Sequence, residues 1–146
     1  MPDLTPDQRR AIEWDVTRLI NTYVNRNDAQ DWAAVAALYT ADARFARPSQ
    51  PGVFIEGRDA ILASFLARPA RAQRHVIANV VVDAQDADTA RAFSVIVLYM
   101  GDVAEDGGLP VKDAKSPLIG TFTDLCVRTP EGWRFAERVG GLDFRP

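Results

Sequence analysis

Gln73-Arg-His-Val-Ile-Ala-Asn-Val-Val-Val-Asp83 and, after a polar turn, Thr89-Ala-Arg-Ala-Phe-Ser-Val-Ile-Val-Leu-Tyr-Met-Gly101 are the segments that decide the fold. They are rich in β-branched and aromatic residues, and Asp86-Ala87-Asp88 between them carries turn chemistry, so they read as the two long strands of a hairpin. Leu118 to Thr129 and Trp133 to Phe144 repeat the pattern around Pro130-Glu131-Gly132, which extends the hairpin into an antiparallel meander. The connection from Asp102 to Pro117 contains Gly107, Gly108, Pro110 and a cluster of charges; it predicts no regular structure and is long enough to form a flap over a cavity mouth.

Towards the amino terminus the period changes. Thr5-Pro6-Asp7-Gln8 has the form of a capping box with proline at the first helical position. Ile12, Val16, Leu19, Ile20, Tyr23 and Val24 then recur at three- and four-residue spacing, predicting a helix with one apolar face that runs to about Asn27. Asp31 is placed to cap a second helix, Trp32 to Leu38, and Arg58 to Arg68 reads as a third helix stopped by Pro69. Ala43 to Arg47 and Val53 to Glu56 read as short strands separated by Pro48, Pro51 and Gly52. Helices followed by a run of strands predict one α+β domain over residues 1–146, with three helices packed on one face of a strongly curved, mostly antiparallel sheet. A long helix across a bent sheet leaves a funnel, a favoured place for a small, largely apolar organic ligand.

Composition narrows the function. The chain has 146 residues, 47% of them hydrophobic and 25% charged, which suits a single globular core. Twenty acidic against 17 basic residues give a formal charge of -3, so no cationic surplus favours nucleic acid or an anionic membrane surface. No apolar run reaches the length of a membrane span, and the opening MPDLTPDQRR lacks the layout of a signal peptide, so the expected location is the cytoplasm. One cysteine, Cys126, excludes an internal disulfide and reads as an inert strand residue. With one histidine and one cysteine the usual metal cages are hard to assemble, so no metal is expected, and proton transfer by side chains needs no organic cofactor either.

The residues that can carry chemistry are few. Tyr23 lies on the apolar face of the first helix, Asp28 follows where that helix ends, and His75 stands at the head of the first long strand. A carboxylate beside an imidazole fixes its tautomer and leaves the other ring nitrogen free to exchange a proton near neutral pH. A tyrosine hydroxyl nearby can donate to a carbonyl oxygen that becomes an enolate. Each also has an ordinary structural reading: a satisfied strand histidine, a turn-closing aspartate, a core tyrosine. Unbroken alternation puts Ile77, Asn79 and Val81 on the face of His75, which makes Asn79 a candidate contact. Both faces of that strand are largely apolar, so the second face is expected to be covered by another copy of the chain, as a homodimer. Trp14, outside the helix stripe, is read as lodged at that contact or on a nearby loop.

The run Tyr23-Val-Asn-Arg-Asn-Asp28-Ala-Gln-Asp31-Trp32, then Leu38-Tyr39-Thr40-Ala41-Asp42-Ala43-Arg44-Phe45, resembles the amino-terminal signature of SnoaL-like proteins in the nuclear-transport-factor-2-like superfamily. Arg74 to Val80 resembles its first long strand, and Gly120 to Arg128 with Gly132 to Phe135 its closing hairpin. The superfamily includes cyclases, isomerases, dehydratases, oxygenase small subunits and non-catalytic binders. Within it the functional resemblance is to dehydratases of the scytalone and bile-acid type, and it implies His75 as general base, Asp28 as its orienter and Tyr23 as oxygen-polarising donor. It also makes Asp124 and Arg138 candidates for a buried ion pair or for substrate binding, and Trp32 a candidate substrate contact. Two departures stand against scytalone itself as substrate: Thr89 to Gly101 holds no second histidine, and no tyrosine lies near Arg47. The expected function is therefore a cofactor-independent lyase or isomerase acting on a small carbonyl or polycyclic compound. The alternatives are a non-catalytic binding or assembly module and an aromatic-ring oxygenase small subunit.

Overall fold

The computed structural model describes residues 3–146, so the first two residues of the stretch read for a leader lie outside it. Helix α1 (Pro6–Asp28) starts where the capping box places it: the Gln8 amide donates to Thr5 Oγ1 at 3.1 Å, and the Thr5 amide donates to Gln8 Oε1 at 2.8 Å. Its buried residues are the expected stripe, Ile12, Val16, Leu19, Ile20, Tyr23 and Val24, continued by Asn27. The helix ends as Gln30 takes a left-handed conformation with φ of 57°.

Helix α2 (Trp32–Ala36) is shorter than expected, although Asp31 caps it through the Ala34 amide. The chain turns at Ala37 and Leu38 and enters β1 (Tyr39–Ala46) four residues before the expected strand start. Strand β2 (Phe54–Glu56) pairs antiparallel with β1, and α3 (Arg58–Leu66) follows, with Ile61 and Phe65 buried. The long strands are β3 (Ala72–Ala84), β4 (Thr89–Gly101), β5 (Leu118–Thr129) and β6 (Gly132–Leu142).

The six strands form one open sheet in the order β2-β1-β6-β5-β4-β3. Every pairing is antiparallel except β1 with β6, which is parallel because α3 and the meander separate the two strands in sequence. Helix α1 packs on β3, β4 and β6, and one cluster of buried side chains from Ile12 to Phe135 fills the space between helices and sheet. Burying that apolar surface is the main favourable term in folding.

Strand β3 departs from the expected alternation. Its register with β4 shifts between Ala78 and Val81, and Asn79 has a φ of 54°, the mark of a β-bulge. Beyond the bulge Val80, Val82 and Ala84 face the core, while Asn79 and Val81 are exposed. The segment 102–117 has no helix or strand, as expected, but it is tied down by a Gly101–Lys112 bridge and by Arg71, whose Nη2 lies 2.6 Å from Asp113 Oδ2. No helix among the described residues is long and apolar enough to cross a membrane.

Candidate active site

Asp28 occupies the last turn of α1, where a negative charge opposes the helix dipole. The cost is offset from β3. The His75 amide donates to Asp28 Oδ2 at 2.8 Å, His75 Nδ1 lies 2.5 Å from Asp28 Oδ1, and Arg74 Nη1 is 3.7 Å from Oδ2. One residue earlier on the helix and two earlier on the strand, Gln73 Nε2 donates to the carbonyl and side-chain oxygens of Asn27 at 2.9 and 2.7 Å. The end of the helix is thus sewn to the strand by two successive side-chain pairs. The Asp28 side chain is 3% exposed and that of His75 11%, so the pair works largely out of water, where a charge-assisted bond is strongest. A carboxylate can only accept, so the neutral imidazole carries its proton on Nδ1 and keeps Nε2 as a free acceptor.

His75 lines a cavity of about 330 Å³ between the helices and the inner face of the sheet. Its walls are mostly apolar: Val24, Phe45, Phe65, Ile96, Leu98, Met100, Leu118, Phe122 and Leu142. Tyr23 lines it too, and its hydroxyl is 2.7 Å from that of Tyr39, which is fully buried. The Tyr39 hydroxyl has no other hydrogen-bond partner among the described residues, so its proton can go to the Tyr23 oxygen and leave the Tyr23 proton for the cavity. Burial raises both phenols above their ordinary range, and the Arg138 charge pulls against it. Tyr39 was not expected in the site, since the alanine-rich sequence before it reads as helix up to Leu38. The buried alternation of Tyr39, Ala43 and Phe45 is the signal that would have found it.

The remaining expected site residues divide. Trp32 lines the cavity, stacked on Phe65 with ring centroids 5.3 Å apart. Asn79 does not, because the bulge turns it to the exposed face. Asp124 and Arg138 do not line it either. They form a fully buried ion pair, Arg138 Nε to Asp124 Oδ1 at 3.0 Å, deeper in the core. The Arg138 guanidinium lies 4.3 Å from the Tyr23 ring centroid and 3.9 Å from that of Phe122, so aromatic faces take the place of water around it. Burial raises the Asp124 carboxyl to about 6 against the pull of Arg138. Cys126 is fully buried, and burial raises its thiol further, in line with an inert role. None of the residues from 102 to 117 lines the cavity, so the connection is not a flap over it, and Trp14 is exposed rather than packed on a loop. No group of three or more potential metal ligands occurs among the described residues.

Three helices and an open six-stranded sheet, with His75 and Tyr23 lining a mostly apolar cavity between them, define an α+β fold with an internal pocket. A model of the SnoaL-like domain matches residues 8–139, and the chain belongs to that family. Solved structures share the fold across nearly the full length. A candidate scytalone dehydratase from Novosphingobium aromaticivorans superposes with a TM-score of 0.80 at 20% identity, covering 96% of this chain and 89% of that one. A nuclear-transport-factor-2-like protein with a cystatin-like fold, also from Novosphingobium aromaticivorans, gives 0.71 at 23% identity over 94% and 86% of the two chains. A protein from Catenulispora acidiphila in complex with S-DNPA gives 0.72 at 21% identity over 92% and 96%. No curated protein matches the sequence.

Proposed function

We propose that the chain is a lyase or isomerase that moves a proton next to a carbonyl group in a small, largely apolar compound, without needing a metal or organic cofactor. The observation that carries the reading is the 2.5 Å contact of His75 Nδ1 with a carboxylate that also takes the His75 amide, on an imidazole lining an apolar cavity. In this mechanism Nε2 removes the α-proton, and the electron pair moves onto the carbonyl oxygen as an enolate. The Tyr23 hydroxyl, backed by Tyr39, donates to that oxygen. Return of the proton at a different carbon gives isomerisation. Protonation of a β-hydroxyl by the imidazolium, with loss of water, gives dehydration. Asp28 holds the ring and stabilises the imidazolium.

The interior of the sheet and helices, read as a cone, is the substrate site, and the S-DNPA bound by the Catenulispora relative supports a small organic ligand. The alternative of a non-catalytic binding or assembly module expects Asp28 and His75 not to approach each other, so their contact supports the catalytic reading over that one. The test is exchange of α-protons of a bicyclic ketone such as 2-tetralone in deuterated water, followed by proton NMR. His75→Ala should abolish the exchange while leaving the fold intact; an unchanged rate in a folded variant defeats the mechanism. We also propose a homodimer through the outer sheet face, where Val76, Val81, Phe93 and Tyr99 are exposed together on β3 and β4. Light scattering on Phe93→Asp should show monomer where the parent shows dimer.

A further inference from the structure

Besides His75, three charged side chains line the cavity, and all three are arginines: Arg47 just after β1, Arg68 just after α3, and Arg71 ahead of β3. No aspartate or glutamate lines it. The three are not equivalent. Arg71 is spent on the 102–117 connection, with Nη2 2.6 Å from Asp113 and Nε 3.3 Å from Asp102. Arg47 gives Nη2 to the Ser64 carbonyl at 2.9 Å, while its Nε is buried with no partner. The Arg68 side chain makes no hydrogen bond or ion pair among the described residues; its guanidinium rests 4.4 Å from the Phe65 ring centroid and 5.9 Å from that of Trp32. Burial and the neighbouring Arg47 charge both lower the Arg68 pKa, as expected for two cations crowded without a counter-ion.

An unpartnered buried donor and a guanidinium without an acid beside it cost stability that a bound anion would offset. The flat fork of a guanidinium matches the two oxygens of a carboxylate. We infer that the substrate is a carboxylic acid, bound as its anion by Arg68 and Arg47, with its apolar body along Trp32, Phe65 and Phe122 and its reacting carbon towards His75. The inference rests on the reading of the cavity as the substrate site. It narrows that reading: neutral hydrocarbons and esters are poor occupants, and the acid group is a recognition handle rather than the reacting one.

The test is isothermal titration calorimetry with 2-naphthylacetate and its neutral counterpart 2-naphthylacetamide at low ionic strength. The carboxylate should bind about tenfold more tightly or better, the range of one charge-assisted contact. High salt should shrink the preference. Arg68→Gln should bring the ratio near one with little change in amide affinity, Arg47→Gln should reduce it, and Arg68→Lys, which keeps the charge without the fork, should retain part of it. Melting curves identify any variant that fails to fold, and Arg68→Lys then carries the comparison. His75→Ala should keep the ratio. Equal binding of acid and amide by the parent, no carboxylate binding at millimolar concentration, a ratio untouched by both glutamine variants, or a ratio lost in His75→Ala overturns the inference. Those outcomes leave the α-proton exchange test of His75 intact, so the two readings fail separately.

Discussion

Replacing Asp28 by asparagine changes which nitrogen of His75 holds the proton, and the structure sets the size of the effect. The carboxylate accepts twice from His75, from the amide at 2.8 Å and from Nδ1 at 2.5 Å. Asparagine offers one acceptor oxygen and one NH2 group. The backbone amide cannot surrender its hydrogen, so the asparagine oxygen stays on it and the NH2 meets Nδ1. Nδ1 must then accept, and the proton of the neutral ring moves to Nε2. The opposite rotamer leaves a buried amide unpaired at about 1–3 kcal/mol. Two charge-assisted bonds become neutral ones, a loss of about 1–3 kcal/mol in all. For a chain of this size that lowers the melting temperature by about 2–10 °C. Since Nε2 is now a donor, base-catalysed α-proton exchange should fall about 100-fold or more. Long-range nitrogen-15 correlation spectra read the tautomer directly, and a single histidine means a single ring to assign. A parent protein whose neutral ring carries its proton on Nε2, or an Asp28→Asn variant with the same tautomer and melting temperature as the parent, refutes the reasoning.

Three further outcomes follow from the core. In Gly120→Ala the new Cβ would lie 2.2 Å from the Gly141 carbonyl oxygen on the paired strand, so the denaturant midpoint should drop by the equivalent of about 1–3 kcal/mol or more. Cys126 is fully buried, so a thiol reagent should label it only on unfolding; rapid native labelling would contradict its burial. Asp124 is raised by burial to about 6 in the folded state, above the roughly 3.9 of an unfolded aspartate. The native state then binds the extra proton between those values, so stability from this group is full below about pH 4 and is lost as pH rises through about 6. The stability of the parent relative to Asp124→Asn should therefore fall by up to a few kcal/mol over that interval and level off above it, as measured by urea unfolding.

Much of the framework is legible in the sequence because it rests on local signals. The capping box starts α1 at Pro6, and the β-branched runs of β4 and β5 end where the turn residues begin. The readings that fail depend on tertiary context. Alanine favours helix over strand, which carries the helical reading through Leu38, so only packing of Tyr39 against Tyr23 and Phe135 shows where β1 starts. Asn79 was expected on the inner face, because a bulge leaves no mark in a pattern of valines. The Asp28–His75 pairing could be named from residue type, while its geometry depends on the Gln73–Asn27 bonds beside it. Arg47, Arg68 and Arg71 stand in or near short connections, where charge ordinarily means solvent, and only closure of the fold brings them to one cavity.

The bulge at Asn79 also governs whether the imidazole of His75 is present inside at all. His75 and Val82 are an odd number of positions apart, and in an unbroken pleat an odd separation means opposite sides. Both point inward because one extra residue reverses the parity of the strand between them. Deleting Asn79 would remove no residue that touches the cavity. Yet either Val80, Val82 and Ala84 would leave the core, or the imidazole would swing out to the far side with Gln73 and Ile77, parting it from Asp28. The Asp28–His75 pairing is thus encoded partly as a length, and a relative lacking that one residue would keep both side chains in its sequence without being able to bring them together.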